Sequence, residues 1–168
     1  MRPPPPIQPS TAAPELCVSQ WFNTPAPITL AQLRGQVIML HTFQMLCPGC
    51  VMQATPQAVH LWQQYRERGL SVIGLHTVFE HHAVMTPQAL AVYLYEFQIP
   101  FPVGVDQPSV DQPVPQTMSR YGLRGTPSTL LIDRQGVVRD HHFGVEAYEP
   151  LVQKIEALLA GDMTNCDN

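Results

Sequence analysis

Two cysteines in the run Cys47-Pro48-Gly49-Cys50 are the residues of this chain best suited to chemistry. Thiols at that spacing can carry two electrons by opening and closing a disulfide, or supply half of a tetrahedral metal site. A zinc site needs a second ligand pair, and the candidates are His81-His82 and His141-His142. Adjacent residues of a strand point to opposite faces, so His141 and His142 do not easily share a metal. Position therefore favours redox chemistry over zinc. The apolar run at residues 37–40 precedes the pair, and Val51, Ala54, Ala58, Trp62 and Tyr65 follow it. Gaps of three and four describe a helix face, so the pair stands where a strand ends and a helix opens. A helix start offers unsatisfied N–H groups and partial positive charge, which favour a thiolate. That placement predicts a lowered pKa and the role of exposed nucleophile for Cys47. Cys50, one turn in, is expected to be the buried resolving thiol. Pro48 suits a first helical turn because its missing N–H is not needed there.

The elements that must position the pair alternate along the chain. After the first strand and helix, Gly69 ends the helix and residues 70–75 form a second apolar strand. Thr86-Pro87 opens a helix with a face of Leu90, Tyr93, Leu94 and Phe97, stopped by Pro100. Residues 101–105 form a third strand, with Pro102 marking an edge or an irregular start. A Pro/Asp-rich loop and a short helical turn lead to a strand at residues 129–132. Asp133-Arg134-Gln135-Gly136 then turns the chain back into a strand at 137–143. Glu149-Pro150 opens a last helix with Leu151, Ile155, Leu158 and Leu159 on its face. Alternation followed by a hairpin predicts an α/β fold, a mixed sheet with helices on both faces.

Residues 1–14 are proline-rich and read as an extended N-terminal tail. Residues 15–160 read as one domain, and 161–168 as a C-terminal tail. A length of 168 residues suits one domain with a real core. The net charge is -4 and there is no Lys/Arg run, which argues against nucleic acid. No apolar run approaches the roughly 20 residues of a membrane span. Prolines stand where a secretory signal would be apolar, so a cytoplasmic location is expected. Four cysteines (Cys17, Cys47, Cys50 and Cys166) do not make a disulfide scaffold in a chain of this size. Cys17 and Cys166 are expected to be spectators. The polar stretch His76, Glu80, His81 and His82 reads as a solvated loop on the Cys47 side of the sheet.

Two separated segments resemble the TlpA- and ResA-like redoxins. The first is Leu30-Ala31-Gln32-Leu33-Arg34-Gly35-Gln36-Val37 followed by an apolar strand, Phe43 and the cysteine pair. The second is Tyr121-Gly122-Leu123-Arg124-Gly125-Thr126-Pro127-Ser128-Thr129 with Ile132-Asp133 and Gly136. The resemblance implies a thioredoxin fold and thiol–disulfide exchange with protein or small-molecule disulfides, recharged by an external dithiol reductase. It implies no metal and no cofactor beyond the Cys47–Cys50 disulfide. It also implies a cis Pro127 beside the pair, with Thr126, Pro48, Gly49 and Leu46 forming the substrate surface. A peroxidase is the alternative. Its P-x-x-x-[TS]-x-x-C signature would fall on Leu40 and Gln44, and neither fits.

The chain departs from the family at three positions. Leu46 stands where a Trp is usual, His41 where thioredoxins bury an Asp, and Gln53 where many ResA-like members carry Glu. The buried carboxylate that moves the proton of the resolving thiol is therefore missing from both of its positions. His41 is the candidate replacement as a general base beside Cys50, since it shares a strand face with Met39 and Phe43; the alternative reading is a core histidine with one hydrogen bond to backbone.

Overall fold

The computed structural model describes residues 4–161. The apolar run before the cysteines becomes β2 (Val37–Phe43), buried along its whole length. A strand buried on both faces must have neighbours on both sides. Here they are β3 (Leu70–His76), parallel to it, and β5 (Ser128–Ile132), antiparallel. Beyond β3 lies the parallel β4 (Val103–Asp106), and beyond β5 the antiparallel β6 (Val138–Phe143). A short β1 (Val18–Phe22) closes the far edge against β4, giving the order β1-β4-β3-β2-β5-β6. The sequence reading lacks β1, whose Ser19 and Gln20 are exposed and break the apolar pattern. The structure also places β4 inside the sheet. Pro102 therefore marks the irregular start of that strand and not an edge.

The pleat of β2 divides the core in two. Val37, Met39 and Phe43 face a layer built from α1 (Thr55–Tyr65), α2 (Pro87–Glu96) and α4 (Tyr148–Ala160). Ile38 and Leu40 face α3 (Gln116–Tyr121) and the N-terminal segment. The helix faces differ in detail from the periodic expectation. In α1, Leu61 enters the core and Trp62 is only half-buried, packed against the same cluster; both positions fit the three-and-four spacing between Ala58 and Tyr65. Phe97 lies past the end of α2, is 53% exposed, and stacks on Tyr93 from outside. The proline-rich segment is extended and docked. Ile7 N–H donates to the Tyr121 carbonyl, and Ser10 and Thr11 exchange backbone bonds with Val138. Ala13 reaches the core edge.

One buried carboxylate joins the elements that lead to the cysteines. Asp106, at the end of β4, accepts hydrogen bonds from Thr117 N–H (2.7 Å), Met118 N–H (2.9 Å) and Thr77 Oγ1 (2.9 Å). It caps α3, which feeds the Gly125-Thr126-Pro127 turn, and it holds Thr77 at the exit of β3. Asp106→Ala would strand these donors in a dry environment. Urea unfolding should show a loss of about 2–3 kcal/mol, with an unchanged denaturant slope.

Candidate active site

Strand β2 ends at Phe43, and its register fixes everything that follows. Residues 44–47 make a tight turn in which Cys47 N–H donates to the Gln44 carbonyl. The helix begins at Pro48, and its first full turn is of the π type, Cys50–Ala54, with Thr55 N–H bonded to the Cys50 carbonyl. A π turn carries one residue more than an α turn, so Thr55 and not Ala54 closes over Cys50. Cys47 is half-buried and Cys50 is fully buried. Their sulfurs lie 2.7 Å apart, and Cys50 N–H donates to the Cys47 sulfur at 3.3 Å. This is the helix-start donor that a thiolate requires. The Cys50 thiol is pushed up to about 12, mainly by burial and also by its hydrogen bond to Cys47. It holds its proton until something makes its thiolate less costly.

The downstream segment meets the pair from the other side. The Thr126–Pro127 bond is cis, and the Thr126 carbonyl lies 3.5 Å from the Cys47 sulfur. Gly49 lies against Val145 and Pro127, so the cysteine turn and the proline segment pack directly on one another. Gly144 N–H donates to the Pro127 carbonyl and carries β6 past the same spot. Around Cys47 the surface is apolar: Leu46, Phe143 and Val145 are exposed at 55%, 53% and 37%.

Two buried neutral side chains hold this arrangement. Gln44 accepts from Phe79 N–H (3.3 Å), and its amide donates toward Glu80 (3.4 Å) and Thr126 Oγ1 (3.5 Å). His76 is the last residue of β3, and its Nε2 accepts from Met45 N–H at 3.1 Å. The solvated-loop expectation for His76 is therefore corrected: it is buried and braces the turn before Cys47. Its strand run ends in a polar residue, which made it look like the start of the loop. Glu80, His81 and His82 are exposed as expected. His41 stacks on Phe43 with centroids 5.3 Å apart, and its Nε2 meets Thr55 Oγ1 at 2.9 Å. It reaches a hydroxyl beside Cys50 and not the thiol, so direct general-base contact is absent. Gln53 is exposed. Among the described residues, no three His, Cys, Asp or Glu side chains come together as metal ligands. Cys17 is a free thiol, and Cys166 lies outside the described residues.

With this geometry in view, the kinship of the chain follows. Residues 8–159 match the family described as Redoxin. The chain belongs to that family. This redoxin is 34% identical over 143 residues to the protein DipZ of Mycobacterium bovis, covering 82% of this chain and 19% of that protein. It is 26% identical to the thiol-disulfide oxidoreductase ResA of Bacillus anthracis, covering 74% of this chain and 64% of that one. The chain thus spans a minor part of DipZ and less than two thirds of ResA. Among solved structures it matches a thioredoxin-like superfamily protein at 52% identity, with TM-score 0.86 and 89% and 96% of the two chains covered. A thiol-disulfide isomerase from Corynebacterium glutamicum matches at 46% identity, with TM-score 0.84 and 88% and 97% covered. The fold is thioredoxin-like, as the resemblance implied. No helix among the described residues is long and apolar enough to cross a membrane.

Thr55, Gln44 and His76 are the site residues that sequence reasoning missed or read otherwise. Burial pushes both His41 and His76 down to about 4. In the unfolded chain both titrate near 6.5, so the unfolded state takes up protons first as pH falls. Stability is therefore lost as pH drops from about 6.5 toward 4. Urea unfolding at pH 5 should show a deficit of roughly 1–2 kcal/mol per histidine relative to pH 7, and replacing both by Gln should flatten the profile over that window.

Proposed function

We propose that this redoxin is a thiol–disulfide oxidoreductase that exchanges the Cys47–Cys50 dithiol with disulfides of proteins or small molecules. The observation that carries the reading is the convergence of the Cys50 sulfur, the Cys50 N–H and the Thr126 carbonyl on the Cys47 sulfur. Cys47 is the accessible thiol at a helix start, and a second thiol stands within bonding reach. The names of ResA and of the Corynebacterium isomerase support the same chemistry.

The steps balance without any group beyond the two thiols. The Cys47 thiolate attacks one sulfur of the substrate disulfide, and the other substrate sulfur leaves as a thiolate that takes a proton from water. Cys50 then attacks the Cys47 sulfur of the mixed disulfide. The Cys47–substrate bond breaks, the Cys47–Cys50 bond forms, and the second substrate sulfur leaves. An external dithiol reverses the process and reloads two electrons. The apolar rim of Leu46, Phe143 and Val145 suits an extended peptide beside the disulfide, with Thr126, Pro48 and Gly49 as its backbone-lined floor. Peroxidase chemistry is less well served: the Gln44 amide is engaged by Thr126, Glu80 and Phe79, and Leu40 is buried in the core.

Insulin reduction with a dithiol donor tests the reading. Cys47→Ser should abolish turnover, and Cys50→Ser should accumulate mixed disulfides visible by mass spectrometry. Full activity of Cys50→Ser with a dithiol donor would rule out the two-cysteine mechanism.

A further inference from the structure

One wall of the site is a short segment that belongs to no strand or helix. After β6 the chain turns at Gly144, whose φ of +95° suits a residue without a side chain. Its N–H donates to the Pro127 carbonyl at 2.8 Å. Val145 lies against Gly49 of the cysteine turn, and Phe143 lies against Gly125. Both side chains keep an exposed apolar surface. The next residue, Glu146, fixes this segment to the body of the fold. Its side chain is 5% exposed, and its Oε1 lies 2.6 Å from Lys154 Nζ. Lys154 stands on α4, whose Leu151, Ile155 and Leu158 are set in the core. The same ammonium holds Asp140 of β6 at 2.9 Å. From α1, Gln57 Nε2 donates to the Glu146 carbonyl at 3.3 Å. Glu146 Oε2 has no hydrogen-bond partner among the described residues. A buried carboxylate so thinly supported depends on its cation to stay buried.

We infer that Lys154 is a positioning residue for peptide disulfides: by clamping Glu146 it holds Gly144 and Val145 against Pro127 and the cysteine turn, and so fixes one wall of the groove beside Cys47. The clamp touches neither sulfur and leaves the chemistry of the pair alone. It acts on what surrounds the pair. A small disulfide needs only the Cys47 sulfur. A polypeptide also brings the residues on either side of its own cystine, and apolar ones among them rest on Val145 and Phe143. With the clamp open, the Glu146 carboxylate turns out to water, because an unpaired charge is cheaper there than inside. Val145 and Gly144 are its chain neighbours and move with it, and the apolar wall is lost. A pre-set wall spares the ordering cost that a loose one would add to binding. Lys154 therefore sets the grip on apolar polypeptide substrates without setting the reactivity of Cys47.

This inference rests on the exchange reading, and one experiment separates the two. The reduced full chain is mixed with rising concentrations of insulin or of bis(2-hydroxyethyl) disulfide, a small uncharged probe without a peptide chain. Acid quenching and alkylation then follow the closing of Cys47 onto Cys50. Lys154→Met should raise the half-saturating insulin concentration about tenfold, leave the maximal rate with insulin unchanged, and alter the rate with the small disulfide by less than about twofold. Lys154→Arg, which keeps the cation, should restore the wild-type values. Glu146→Ala opens the clamp from its other end, strands no buried carboxylate, and should act as Lys154→Met does. Loss of stability alone lowers the active fraction and so slows both substrates in parallel, without a change in half-saturation. Wild-type half-saturation in Lys154→Met and Glu146→Ala, or a parallel loss with both disulfides, overturns the inference while leaving exchange intact. A wild-type chain that closes Cys47 onto Cys50 with neither disulfide overturns the exchange reading itself, and the inference with it.

Discussion

Burying one thiol of the pair while leaving the other at the surface is the constraint on which this site depends. Cys50 is fully buried and Cys47 is not, so in the proposed exchange Cys47 meets the substrate and Cys50 releases it. Burial also makes the Cys50 thiolate costly, which is why its thiol sits near 12. The surrounding elements answer that cost with neutral groups. Strand β2 contributes His41, and the first helical turn contributes Thr55. A carboxylate in that place would be one more buried charge, whereas a hydroxyl and a neutral imidazole add only dipoles.

The same preference for neutral polar anchors runs through the frame around the pair. Gln44 joins the cysteine turn to the Phe79-Glu80 loop and to Thr126. His76 braces Met45 from β3. Asp106 is a buried carboxylate in this frame, and it is fully engaged by two helix N–H groups and a hydroxyl. Three loops from three strand ends thus meet at Cys47 through side-chain bonds, because their backbones have left the sheet. Positioning at the sheet edge is a side-chain task here, and it is sensitive to protonation of two histidines.

The central strand, the cysteine turn and the hairpin at Asp133–Gly136 were legible in the sequence because each has a local signature. Continuous apolar runs, a C-x-x-C at a helix start, and a turn sequence are properties of neighbouring residues. The resemblance added Pro127, which no local pattern ties to Cys47 across about 80 positions of chain. What stayed hidden depends on tertiary contact. β1 has no alternation because it lies at an edge. Leu61 lies deeper than Trp62 because both fit the three-and-four spacing after Ala58, and only the packing of α1 on the sheet decides between them. His76 read as loop because it is the polar end of an apolar strand.

The most direct test of the account is a redox equilibrium of the full chain in glutathione buffers, with alkylation and peptide mass spectrometry after each step. The account predicts one two-electron transition, with a midpoint in the range of roughly -270 to -120 mV spanned by this kind of dithiol. The two thiols lost map to Cys47 and Cys50, and Cys17 stays reduced throughout. A chain in which Cys47 takes up glutathione without closing onto Cys50, or in which Cys17 supplies the partner sulfur, would contradict it.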